Sequence, residues 1–145
     1  MNANRLKQVL INKVNNSYWW HVPPRDLNSY KKRGKFLAST YTQAEFYGRP
    51  NIEPEKMEVL NPIFGFSERE ILKQLFPKEY KKLAIEEDDV DGADWYSKRT
   101  ELDSMMYEQS KRLGFDAIVL IGSTGRKSLE QGRKPCSIEL NLLNV

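Results

Sequence analysis

The spacing of apolar and polar residues changes its period several times along this chain, and each change marks an element. Leu6, Val9, Leu10 and Val14 recur at helical intervals, which predicts an amphipathic helix over residues 4–14, closed by Asn15-Asn16. Residues 17–22 are rich in aromatics and stop at Pro23-Pro24, so they read as a strand. Residues 25–34 read as a polar, basic loop ending on Gly34, and residues 35–40 as a short apolar strand. A short helix is expected over 42–47, stopped by Gly48-Arg49-Pro50. Residues 57–64 carry a third strand, broken at Pro62.

Ser67 followed by Glu70 has the form of a capping box, with the serine as N-cap. It opens a helix through Leu75, which Pro77 interrupts, with a second piece running to Ala84. The acidic stretch 86–94 reads as a loop. Leu102, Met105, Met106, Gln109 and Leu113 fall on one side of a long helix over 97–113. Gly114 fits a left-handed C-cap, with Phe115 as its hydrophobic anchor. Residues 116–121 form a buried strand, 122–136 a polar loop, and 137–143 the last strand. Helices do not alternate one for one with strands, which favours α+β over a doubly wound parallel sheet.

Composition narrows this picture. The 145 residues fit one domain, 1–145, that includes the N-terminal helix (1–16). Hydrophobic residues make up 39% and charged residues 30%, a globular rather than a disordered balance. No apolar run approaches bilayer length, and Met1 to Val14 has no signal-peptide pattern. The single cysteine, Cys136, forbids an internal disulfide and fits a reducing compartment, so a cytoplasmic location is expected. One His and one Cys leave little for a zinc site, and no metal is expected.

The net charge of +3 is mild. The basic clusters Lys31-Lys32-Arg33, Arg126-Lys127 and Arg133-Lys134 read as solvated loops able to attract an acidic partner or a phosphate. A G-x-G-x-x-G motif is absent. Gly122-Ser123-Thr124-Gly125-Arg126-Lys127 has a superficial likeness to a phosphate loop, but the strand expected after it leaves no helix N-terminus for the phosphate.

Three segments carry candidate chemistry. The first is Tyr18-Trp19-Trp20-His21, holding the only histidine of the chain. The second is Gly34-Lys35-Phe36-Leu37-Ala38-Ser39-Thr40, followed by Ala44-Glu45-Phe46-Tyr47-Gly48. The third is Leu113-Gly114-Phe115-Asp116-Ala117-Ile118-Val119-Leu120, a loop, and Ile138-Glu139-Leu140-Asn141-Leu142-Leu143. In this order, over roughly residues 18–145, they resemble the ADP-ribosyltransferase family, including its small phage-encoded members that act as anti-CRISPR effectors.

The resemblance implies an α+β fold of two packed antiparallel sheets with flanking helices and an NAD cleft between them. It implies an NAD-dependent mono-ADP-ribosyltransferase that modifies a macromolecule, a protein before a nucleic acid, working as a monomer away from membranes. By position, Glu139 takes the place of the catalytic glutamate, His21 that of the histidine holding a ribose hydroxyl, and Asp103 or Glu101 that of an acidic helper. Val22, Gly34, Lys35, Ser39, Thr40 and Tyr47 would contact NAD, with Tyr47 stacking on nicotinamide. His21 is then expected to face Glu139 across the cleft. The residue two before Glu139 is Ser137, where the arginine-directed subgroup has Glu or Gln, which leaves the acceptor open. The loop 122–136, with Arg126, Lys127, Glu130, Arg133 and Lys134, would recognise the target.

Each assignment has a plainer alternative. His21 can be a half-buried ring satisfied by backbone, Glu139 an ordinary strand residue, Ser39 and Thr40 turn caps, and Asp103 the partner of Thr100 in a capping box. Two other functions stay open: an NAD glycohydrolase, and a non-catalytic protein that masks a partner.

Overall fold

The computed structural model describes residues 2–85 and 92–144, so the acidic stretch 86–91 lies outside the described residues. The chain is α+β. Five strands, β1 (Trp20–His21), β2 (Lys35–Ala38), β3 (Pro62–Gly65), β4 (Ala117–Ile121) and β5 (Ile138–Leu142), form one sheet in the order β1-β2-β5-β4-β3. This corrects the expectation of two packed antiparallel sheets. Among the described residues, every strand finds its hydrogen-bonding partner in one mixed sheet, with helices packed on both faces. All pairings are antiparallel except β3 with β4. A parallel pair needs a long crossover, and the segment between β3 and β4 supplies one. It contains α4 (Glu68–Leu75), α5 (Tyr80–Leu83) and α6 (Gly92–Arg112).

The remaining helices are α1 (Ala3–Asn15), α2 (Ser29–Arg33), α3 (Tyr41–Glu45) and α7 (Ser123–Glu130). Two of them correct the reading of 25–34 and 122–136 as loops. Both are short and polar, so their apolar spacing carries little signal; α7 buries only Gly125, Ser128 and Leu129. Pro62 starts β3 instead of breaking it, as the first position of an edge strand tolerates a missing N–H.

The pleat sorts residues between two faces. On the first face, Leu37, Ala117, Val119, Ile121, Ile138 and Leu140 pack with Leu10 and Val14 of α1, Leu129 of α7, and Trp19. The Trp19 indole donates to the Val14 carbonyl at 3.0 Å, tying the end of α1 to the start of the sheet. On the second face, Ile63 and Ile118 pack with Ile71, Leu72 and Leu75 of α4 and Leu102, Met106 and Tyr107 of α6. α3 lies over β1 and β2 on this same side, with Tyr41 edge-on to Trp20 at 5.1 Å.

Local signals explain where helices begin and end. Ser67 accepts from the Glu70 N–H at 3.2 Å, while the Glu70 carboxylate reaches back to the Phe66 N–H at 2.7 Å. At the end of α6, Gly114 adopts φ +90°, and the Phe115 N–H closes onto the Ser110 carbonyl at 2.9 Å. Gly34, between α2 and β2, also has positive φ (+85°), and there a Cβ would lie 2.2 Å from Asn141 Oδ1 and 2.6 Å from the Leu142 carbonyl. At Gly114 a Cβ would meet no atom within 4 Å.

These two glycines separate strain from collision. Gly114→Ala should cost about 1–2 kcal/mol, the usual penalty for a side chain in the left-handed region. Gly34→Ala should cost clearly more, because a clash with β5 is added to the same strain. Thermal denaturation of the two variants checks this, and equal losses would show that β5 yields freely at Gly34.

Candidate functional site

The register of the sheet decides which candidate residues meet. Directly opposed residues of an antiparallel pair share a face. Trp20 opposes Ala38, and Ala38 opposes Glu139, which in turn opposes Leu120. His21 opposes Leu37, and Leu37 opposes Leu140. Glu139 therefore projects on the second face and His21 on the first. This corrects the expectation that His21 faces Glu139: β1 and β5 keep both residues in the sheet, but in adjacent rows of the pleat.

His21 is buried, with both ring nitrogens engaged. Its Nδ1 lies 2.7 Å from the Phe36 carbonyl, which can only accept, so the proton sits on Nδ1. Its Nε2 then accepts from the Tyr30 hydroxyl at 2.8 Å. The histidine ties α2 to the β1–β2 edge. Desolvation pushes its pKa below the ordinary 6.5 and Lys35 adds to the shift, against the Phe36 carbonyl and Glu55.

Around Glu139 the second face opens into a cleft of about 460 Å³, within the size range of small-molecule sites. Its floor is Glu139 and Leu120. One wall comes from the β2–α3 junction and α3, with Thr40, Thr42, Gln43 and Phe46, and the rim from Gly122, Cys136 and Ser137. Thr40 is the N-cap of α3 and accepts from the Gln43 N–H at 3.1 Å. Ser39 donates to Gln43 Oε1 at 2.8 Å and accepts from the Ile138 N–H at 3.2 Å, locking β2 to β5 beside the glutamate. Ser137 has φ +54°, the only positive φ of a non-glycine among the described residues. This left-handed turn brings the chain into β5 directly before Glu139.

Tyr47, just past α3, donates its hydroxyl to Glu139 Oε1. The phenol pKa is raised by partial burial and by the adjacent carboxylate, so it remains a donor at neutral pH. Its ring and that of Phe46 are largely exposed.

A smaller recess of about 60 Å³ continues from Glu139 between the sheet and α4/α6. Asp103 lines it, together with Glu68. Arg99 reaches Asp103 Oδ1 at 2.7 Å and Glu68 Oε2 at 2.8 Å. Burial raises the Asp103 pKa, with Glu68 adding to it and Arg99 and Arg33 opposing. Burial disfavours the Arg99 charge, but the hydrogen bonds and charges of Glu68 and Asp103 outweigh it and raise its pKa overall. Asp103 is thus no helix cap. α6 begins at Gly92, and Thr100 donates to the Ser97 carbonyl instead.

The other candidates lie apart. Lys35 pairs with Glu55 at 2.5 Å on the first face. Gly34 backs onto Asn141, and Val22 stands where a Cβ on Gly48 would collide with it. Glu101 is exposed on α6. The structure thus brings Glu139, Tyr47, Thr40, Ser39 and Asp103 to one side, and leaves out His21 and Lys35. Arg99, Gln43 and Cys136 were not anticipated. The i,i+4 spacing of Arg99 and Asp103 was the available signal for the first.

At the cleft rim, Gly122 precedes α7 and the helix has no side-chain cap. The Gly122–Lys127 segment, set aside for want of a helix, is itself the start of one. Its free N–H groups and dipole suit an anion. Among the described residues no cluster of three or more His, Cys, Asp or Glu could hold a metal ion, and no helix is long and apolar enough to cross a membrane.

No protein-family model, curated protein or solved structure matches this chain.

Because the folded protein protonates His21 only below 6.5, the unfolded chain gains protons first as pH falls through that value. Stability contributed by neutral His21 is complete above pH 6.5 and declines below it. The fall in Tm between pH 7.5 and 5.5 should therefore be smaller in His21→Gln than in the natural chain; an equal fall in both would overturn this account of the ring.

Proposed function

We propose that the chain is an NAD-dependent mono-ADP-ribosyltransferase that modifies a macromolecule, a protein before a nucleic acid. The observation that carries this reading is the pairing of Glu139 with the Tyr47 hydroxyl on the floor of an open cleft. NAD supplies a ribose with nicotinamide as a ready leaving group, so the site must stabilise positive charge developing at that ribose. A fixed carboxylate does this, and it can also take the proton released by the acceptor. Tyr47 orients Glu139 and exposes a ring on which a flat heterocycle can stack.

The residues available match the parts of the dinucleotide. Thr40, Gln43 and Ser137 offer hydroxyl and amide groups for ribose oxygens. The uncapped start of α7 offers N–H groups for a diphosphate. In this reading His21 plays no part in catalysis, and Thr40 and Gln43 carry the hydrogen bonding that the family resemblance assigns to a first-strand histidine. Asp103 acts by holding Arg99 near Tyr47, not by touching the ribose.

Incubation with labelled NAD and a cell lysate should transfer label to a macromolecule. Glu139→Gln should lower transfer on the order of 10²- to 10³-fold or more while keeping its Tm. Label released as free ADP-ribose would replace transfer by hydrolysis, and absence of NAD binding in calorimetry would remove both.

A further inference from the structure

The helical layer on the face opposite Glu139 is charged out of proportion to the chain. Residues 1–16, which contain α1, and 122–137, which contain α7, hold seven Lys or Arg against one Glu, in a chain whose net charge is only +3. The first acidic residue of the chain is Asp26. α1 and α7 pack together on the first face. Lys13 Nζ donates to the Gly132 carbonyl at 2.9 Å, which seats the Arg133-Lys134 turn beside the end of α1. Arg5, Lys127, Arg133 and Lys134 are exposed, and their side chains have no hydrogen bond or ion pair among the described residues.

Helix stability does not account for this pattern. α1 has no acidic residue in its first turn, where the helix dipole favours one, and Arg5 and Lys7 stand near that positive end instead. A helix tuned only for solvation gains from mixed signs at i,i+4 spacing. In these two helices only Arg126 and Glu130 form such a pair.

The exposed groups select the partner. α1 turns Leu10 and Val14 into the core, so it keeps no apolar stripe for insertion into a membrane. Among the described residues, none of the large exposed apolar side chains lies on α1 or α7. The layer therefore lacks an aromatic anchor for a protein interface and a ring on which unpaired bases stack. Tyr18, just past α1, already carries Lys56 over its ring at 5.1 Å. What α1 exposes is Arg5, Gln8 and Asn12, at intervals of three and four residues. Asn16 bonds Asn12 Oδ1 at 2.9 Å, which leaves Asn12 Nδ2 as a donor. Arg, Gln and Asn read base edges in the major groove of B-form DNA, which admits a helix; the deep, narrow groove of double-stranded RNA does not.

We propose that this layer docks on duplex DNA, with α1 facing the major groove and the cations of Arg5, Lys127, Arg133 and Lys134 meeting the phosphates beside it. α1 lies outside the stretch 18–145 that carries the family resemblance, and it packs on the face opposite Glu139, so docking leaves the glutamate accessible. The inference goes beyond the NAD reading and does not depend on it.

Fluorescence anisotropy of the intact protein with a labelled DNA duplex two helical turns long, without NAD, tests the docking. Affinity should fall steeply between about 50 and 200 mM salt, with a slope of log affinity against log salt of roughly −3 to −4 for four phosphate contacts. Arg5→Gln and Lys134→Gln should each weaken binding several-fold and make the slope shallower by about one, with Tm retained. Lys81→Gln and Lys82→Gln, on α5 at the other face, should change neither. Double-stranded RNA and single-stranded DNA of the same length should bind several-fold more weakly. Absence of duplex binding at low salt, a slope unmoved by Arg5→Gln, or an equal loss in the α5 variants would overturn the proposal. So would equal or tighter binding of the RNA, of the single strand or of an acidic peptide, the last reassigning the face to a protein partner. The outcome stands whether or not the protein turns over NAD.

Discussion

The alternation along β5 is the constraint on which the rest depends. This strand pairs with β2 on one side and β4 on the other, so its pleat governs both faces of the sheet. Ile138 and Leu140 enter the core beneath α1, while Glu139 and Asn141 turn to the opposite face. A slip of one residue would drive a carboxylate and an amide into a core built from Leu10, Val14, Trp19 and Val119. Burying those groups without partners is costly enough to hold the register. The same requirement that protects the core therefore aims the acidic residue at the cleft.

The second face is held by charge as much as by packing. Arg99 bridges α6 to α4 through Asp103 and Glu68, beside the apolar contacts of Met106 and Ile71. These groups are only partly exposed, so removing one partner would strand a charge in a poorly solvated place. Two members of the network, Glu68 and Asp103, line the smaller recess beside Glu139, while α3 walls the cleft itself. Tyr47, just past α3, meets Glu139 through its hydroxyl. A carboxylate held in place by a hydrogen bond can stabilise charge without reorganising.

Much of the fold was legible in the chain. The helical spacing of Leu6 to Val14, the Ser67–Glu70 cap, the Gly114-Phe115 terminator and the apolar run 117–121 each rest on local physics, and each forms where expected. α2 and α7 were illegible because short polar helices show no apolar stripe. The count of sheets was also out of reach, since it depends on which strands pair over long separations. For the site, Glu139 and Tyr47 could be named in advance and prove to be neighbours. Arg99 could not be seen, because its importance comes from Glu68 on another helix.

His21 marks the boundary between the two kinds of knowledge. By itself the sequence determined that a lone histidine ends an aromatic strand and that a glutamate alternates with apolar residues in the last one. Those facts are local, because propensity and periodicity act between near neighbours. Which face each residue looks toward was decided only by the tertiary structure. β1 docks on β2 so that His21 falls in the row of Leu140, with Phe36 and Tyr30 taking up its ring nitrogens, and Glu139 falls in the next row with Tyr47. Strand pairing sets that parity through hydrogen bonds between segments far apart in the chain, and local sequence carries no record of it.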